Sequence, residues 1–221
     1  MKENFDLILF DLDGTITDSG EGITKSVQYA LSKLGIEEPD LENLRKFIGP
    51  PLIDSFEKYY GFSREEAVHA REIFNERYQP IGWKENRPYE GIEEVLKALK
   101  KEGKMLGIAT SKPADTANRV LSHFGLRDYF PVFCAAPLNG IGGEKAGRIQ
   151  AAIEDAKTLG CEAKNVIMVG DTKFDVLGAK FHGIPCVGVS WGYGTVDEMR
   201  EAGAAAIAFS MKELSDILHS I

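Results

Sequence analysis

Three cysteines in 221 residues, Cys134, Cys161 and Cys186, are too few and too far apart for a disulfide framework. No CxxC pair offers a metal or redox site, so reduced thiols serving as small buried hydrophobes are expected. Long apolar runs are also missing. Near the N-terminus only Leu7–Phe10 is continuously apolar, too short for a signal segment or a membrane span. That pattern predicts a soluble, cytoplasmic protein with no membrane partner. Basic clusters interleaved with aromatics are absent, and the net charge is -8. A nucleic-acid polymer is therefore not expected as a partner, although a local basic pocket is compatible with that charge.

What is present is ordinary globular material, 43% hydrophobic and 27% charged, enough for one domain with an insertion or two small domains. After the strand Leu7–Phe10 the spacing turns helical. Ile23, Val27, Ala30, Leu31 and Leu34 recur on one face and stop at Gly35. A short helix is expected from Pro39-Asp40, then a Pro/Gly break at Phe47–Leu52, an amphipathic run to Gly61, and a capping box at Ser63–Glu66 opening a helix to Tyr78. From Pro88 onward, strands alternate with helices. Strands are predicted at Met105–Ala109, Phe130–Ala135, Asn165–Gly170, Cys186–Ser190 and Ile207–Phe209. Alternation of this kind implies an α/β fold, a doubly wound parallel sheet whose ligand site lies beyond the carboxyl ends of the strands.

Three strands end in polar, reactive residues. LILF leads into DLDGT, where Asp11 and Asp13 lie roughly 6–7 Å apart at Cα on one side of an extended chain. Two such carboxylates need a cation, and hard oxygen ligands suit Mg²⁺. The turn at Gly14 exposes backbone N–H groups, including that of Leu12, that can bind an anion. The second strand leads into Thr110-Ser111-Lys112, a hydroxyl and amides suited to a phosphate. VIMVG leads into Asp171, with Asp175 four residues on. Lys145 follows a glycine-rich loop that lacks the P-loop ending, and would be an ordinary surface lysine unless the fold sets it opposite those carboxylates.

FDLDGT, IATSK, Lys145 and GDTKFD, in that order, resemble the four motifs of the haloacid dehalogenase superfamily of phosphatases. The resemblance spans essentially the whole chain, and the four motifs together are highly specific. It implies a Rossmann-like core domain of residues 1–16 and 85–221, with an inserted helical cap, residues 17–84, of the phosphoglycolate phosphatase and 5′-nucleotidase type. It further implies that Asp11 is a nucleophile forming an aspartyl-phosphate and Asp13 the acid–base group. Thr110 would hold a phosphoryl oxygen and Lys145 would neutralise charge. Asp11, Asp171 and the backbone carbonyl of Asp13 would hold Mg²⁺, with Asp175 supporting the metal shell. The expected substrate is a small phosphorylated metabolite, handled by a monomer or weak homodimer.

Substrate choice is expected to lie in the cap loop Phe47, Ile48 and Gly49, with Lys25, Arg45 or Lys112 contacting an anionic leaving group. Hinges near Thr17–Gly20 and Gly82–Pro88 would let the cap open and close. Two alternatives share the same residues: a phosphomutase of the beta-phosphoglucomutase type, and a phosphate-binding regulatory module without turnover. Relatives in this branch commonly carry Asp-Gly and then Arg before the lysine. Asn139 and Gly142 stand there in this chain, a departure that leaves the four motifs intact and the choice among those relatives' substrates open.

Overall fold

A computed structural model describes residues 5–137 and 144–220. Asn139 and Gly142 lie outside the described residues. Six strands form one sheet: β1 (Leu7–Phe10), β4 (Met105–Pro113), β5 (Val132–Ala136), β6 (Val166–Gly170), β7 (Cys186–Val189) and β8 (Ala206–Ala208). Their order is β5-β4-β1-β6-β7-β8, and every pairing is parallel. The fold is the expected parallel α/β sheet, with β1, the strand that leads into the two aspartates, among its central strands.

The alternation along β1 builds both layers. Ile8 and Phe10 face a core shared with α4 (Ile92–Lys101), α5 (Ala114–His123) and α9 (Met211–Ser220). Leu7 and Leu9 face α6 (Lys145–Thr158) and α7 (Lys173–Phe181) on the other side. All four β1 side chains are fully buried, as a strand covered on both faces must be. A short helix α8 (Val196–Ala202) precedes β8. Neither α8 nor α9 is among the elements expected from the sequence.

Residues 20–84 pack a separate apolar cluster. Ile23, Val27 and Leu31 of α1 (Gly20–Lys33), Ile53 and Phe56 of α2 (Leu52–Tyr60), and Ala70 and Phe74 of α3 (Arg64–Tyr78) meet there. Gly61, which closes α2, has φ 68, the left-handed cap that a side chain resists. The capping box at Ser63 and Glu66 forms as expected. Leu41–Phe47 is a 3-10 helix rather than an α-helix, started by the Asp40 side chain accepting from the Glu42 N–H at 3.0 Å.

The chain passes between this cluster and the sheet twice. At those passages β2 (Thr17–Asp18) pairs antiparallel with β3 (Arg87–Pro88), and Arg87 and Asp18 form an ion pair at 2.8 Å. Both crossings are therefore tied to each other.

Candidate active site

Register alone brings the reactive residues together. Phe10 is level with Ile108 on one side and Val169 on the other. Asp11 therefore lies at the same edge as Thr110 and Asp171, one or two residues beyond those neighbours. Its N–H donates to the Val169 carbonyl at 3.0 Å, so the strand ladder fixes its main chain.

Lys145, the first residue of α6, lies between two carboxylates. Its Nζ is 2.8 Å from Asp11 Oδ1 and 2.8 Å from Asp175 Oδ1, and it donates to the Ala109 carbonyl at 3.1 Å. The Asp175 Oδ2 accepts from the Thr172 N–H at 3.0 Å and from the Thr172 hydroxyl at 2.8 Å. Asp171 has other partners. Its Oδ1 accepts from the Thr15 hydroxyl at 3.0 Å and its Oδ2 from the Tyr193 N–H at 2.8 Å. Two glycines leave room for it. A Cβ at Gly14, where φ is +84, would lie 2.2 Å from Asp171 Oδ2, and one at Gly192 would lie 2.2 Å from Asp171 Cβ.

Among the described residues, Asp11, Asp171 and Asp175 can each bring a carboxylate oxygen within 4.8 Å of the others, and all three are buried. One ammonium faces three carboxylates, which leaves two negative charges formally uncompensated. Burial pushes the Asp11 carboxyl up to about 6 against the pull of Lys145. Burial also drives Asp171 well above the carboxylate range, with Asp175 and Asp11 adding repulsion. Burial opposes the charge on Lys145, but Asp11 and Asp175 overcome it and raise its pKa. An all-oxygen, doubly negative, buried donor set fits a hard divalent cation.

Asp13 is served by a different lysine. Lys112 Nζ donates to Asp13 Oδ1 and Oδ2, each at 2.9 Å, and to the Tyr78 hydroxyl at 2.7 Å. The register of β4 against β5 shifts between Ala109 and Pro113, an irregularity of the kind that re-aims side chains. In that stretch the Thr110 hydroxyl accepts from the Lys112 N–H at 3.2 Å and also bonds Asp11.

A cavity of about 110 Å³ adjoins Asp13, with Ser111 and Lys112 on the sheet side and Gly49, Phe74 and Tyr78 on the helical side. Phe47 borders it and Ile48 does not; both are buried in the helical cluster. Lys25 instead pairs with Glu21 at 2.5 Å and Glu85 at 3.5 Å, away from the cavity lining. Arg45 pairs with Glu42 and stacks over the Tyr193 ring, 5.3 Å from its centroid. Thr15 closes the DLDGT motif, whereas Tyr193 and Gly192 escape a motif-based reading. Their signal is positional: WGYG follows the buried strand β7 and so opens at the same sheet edge.

Residues 8–189 match the model of the haloacid dehalogenase-like hydrolase family. A 5′-nucleotidase from Pseudomonas aeruginosa is 41% identical over 213 residues, 96% of this chain and 95% of that protein. The tyrosine-protein kinase PtkA of Mycobacterium tuberculosis is 36% identical over 219 residues, 98% of this chain and 73% of that protein. The crystal structure of a predicted phosphatase from Clostridium acetobutylicum superimposes with a TM-score of 0.93 at 40% identity, covering 98% of this chain and 99% of that one. This chain belongs to the haloacid dehalogenase-like hydrolase family and is a phosphatase within it.

Proposed function

We propose that this protein is a magnesium-dependent, cytoplasmic phosphatase that hydrolyses a small phosphomonoester, of the phosphoglycolate or nucleoside monophosphate type, through an aspartyl-phosphate on Asp11. The observation that carries this reading is the charge imbalance at the sheet edge: three buried carboxylates against Lys145 alone. Asp11, Asp171 and the main-chain carbonyl of Asp13 would hold Mg²⁺, with Asp175 in support. When bound, the ion offsets the excess negative charge and lets a phosphate approach.

In the first half-reaction an Asp11 carboxylate oxygen attacks phosphorus. The bond from phosphorus to the leaving oxygen breaks, and the Asp13 carboxyl gives that oxygen its proton. In the second, a water oxygen attacks the acyl phosphate while Asp13 takes its proton, and the Asp11 carboxylate is regenerated with release of phosphate. The Thr110 hydroxyl and the backbone N–H groups of Leu12 and Ser111 would hold phosphoryl oxygens, with Lys145 balancing charge on Asp11; the expected Gly14 N–H is instead given to the Thr17 carbonyl at 2.8 Å.

Residues 17–84 would act as a cap over the core of 1–16 and 85–221, pivoting where β2 pairs with β3, and would exclude water during transfer. The cavity of about 110 Å³ beside Asp13 supports a small leaving group. The test is phosphate release from phosphoglycolate, nucleoside monophosphates, sugar phosphates and pyrophosphate, with and without Mg²⁺. Turnover of one monoester class that stops on chelation is expected. No release from any of them would overturn the reading.

A further inference from the structure

Tyr78 reaches the sheet edge from the last turn of α3, a helix of the separate helical cluster, and lines the cavity beside Asp13. Its hydroxyl oxygen lies 2.7 Å from Lys112 Nζ, whose other two contacts are the two oxygens of Asp13 at 2.9 Å. An ammonium has three N–H donors. Asp13 takes two of them and Tyr78 the third, so the phenol completes the set. Lys112 is only 7% exposed and Tyr78 5%.

The end of α3 is held independently of that contact. Gln79 accepts from Arg119 of α5 at 2.9 Å through its side chain, and its carbonyl accepts from the same guanidinium at 3.0 Å. The Tyr78 ring stacks on Phe74, with centroids 4.9 Å apart and planes 23° apart. Gly82 presses on the opposite edge, where an added Cβ would lie 2.7 Å from Tyr78 Cδ2. The ring is thus placed by Phe74, Gly82 and the anchored Gln79, and its hydroxyl oxygen accepts from Lys112.

We propose that Tyr78 is a positioning residue for Asp13, acting through Lys112, so that seating of the helical segment and alignment of the acid–base carboxylate are one event. This rests on the reading of Asp13 as the acid–base group. Without the phenol oxygen, Lys112 keeps its charge but has one buried N–H to satisfy elsewhere. It can rotate, and the carboxylate it grips rotates with it. Small displacements of a proton donor from its acceptor are costly in rate, up to about 100-fold for 1 Å.

Leaving groups separate this role from a merely structural one. An alkyl alcohol needs a proton as it departs, whereas p-nitrophenolate leaves as a stable anion. The ratio of kcat/KM for an alkyl monophosphate to kcat/KM for p-nitrophenyl phosphate therefore reads the acid step. Tyr78→Phe keeps the ring and removes only the oxygen. It is expected to lower that ratio about tenfold, with Lys112→Met lowering it further. Tyr29→Phe, which removes a hydroxyl bonded to Glu76 on the outer side of the same helix at 3.1 Å, is expected to leave the ratio unchanged.

Asp13→Asn, measured on the same two substrates, separates the two levels. If it lowers the ratio while Tyr78→Phe lowers both substrates equally or neither, the positioning role is overturned and the acid–base reading survives. If Asp13→Asn leaves the ratio unchanged, both fall.

Discussion

Two buried lysines at the same sheet edge serve opposite electrostatic arrangements. Lys112 has Asp13 to itself, gripping both oxygens, and that pair is closed by a phenol. Lys145 is divided between Asp11 and Asp175, with Asp171 close by and, among the described residues, no cation of its own. A balanced pair needs no further ion to be stable. An unbalanced cluster is stable only with something added, because desolvated like charges repel strongly at short range. The difference separates a group held in position from a site prepared to receive a cation and a phosphate.

The comparison can be broken most directly at the nucleophile. Asp11→Asn should lower turnover by about 1000-fold or more, measured as phosphate release with saturating Mg²⁺. Lys145→Met should destabilise the fold by about 3–5 kcal/mol in chemical denaturation, since it leaves two buried carboxylates without their cation. Asp171→Asn tests the opposite sign. It should abolish turnover yet stabilise the metal-free protein at pH 7, because it removes the most poorly compensated charge. A loss of metal-free stability in that variant would mean the cluster is not under strain.

The same imbalance predicts a pH dependence. The native state keeps a proton on Asp11 up to about 6, whereas an ordinary aspartate releases it near 3.8. Between those values the native state binds more protons than the unfolded chain, so metal-free stability should fall as pH rises through that window. Asp11 accounts for up to about 3 kcal/mol of the fall, and thermal melts with Mg²⁺ should show a smaller one. The smallest effect belongs to Lys25→Ala. Its exposed pair with Glu21 is screened by solvent, so the melting temperature should stay unchanged and KM for the preferred substrate should change less than about twofold.

The fold and most of the site are legible in the sequence because both follow from strand ends. Apolar runs of four or five residues punctuated by Asp11, Thr110 and Asp171 identify the central strands, and parallel register then dictates that their ends meet. The capping box at Ser63 is a local signal and forms locally. What escapes the sequence depends on side-chain direction or on weak periodicity. Thr110-Ser111-Lys112 reads as a loop after a strand, but β4 continues through it to Pro113 with a shifted register, and that continuation turns Lys112 onto Asp13. Tyr78 reads only as the end of a helix, since its target is 34 residues away. Helices α8 and α9 are short and bury few side chains, Met199 in one and Leu214 and Leu218 in the other. Thr195 accepting from the Glu198 N–H, and the four-residue spacing of Leu214 and Leu218, are the signals that were available.

The central claim is that the carboxylate beside Lys145, rather than the one beside Lys112, attacks phosphorus. Acid quenching during turnover, reduction of any acyl phosphate with borohydride, and peptide mass mapping locate the modified residue. The account predicts modification at Asp11 alone, formed with Mg²⁺ and missing after chelation. Modification at Asp13, or steady turnover with no trapped intermediate on either residue, would contradict it.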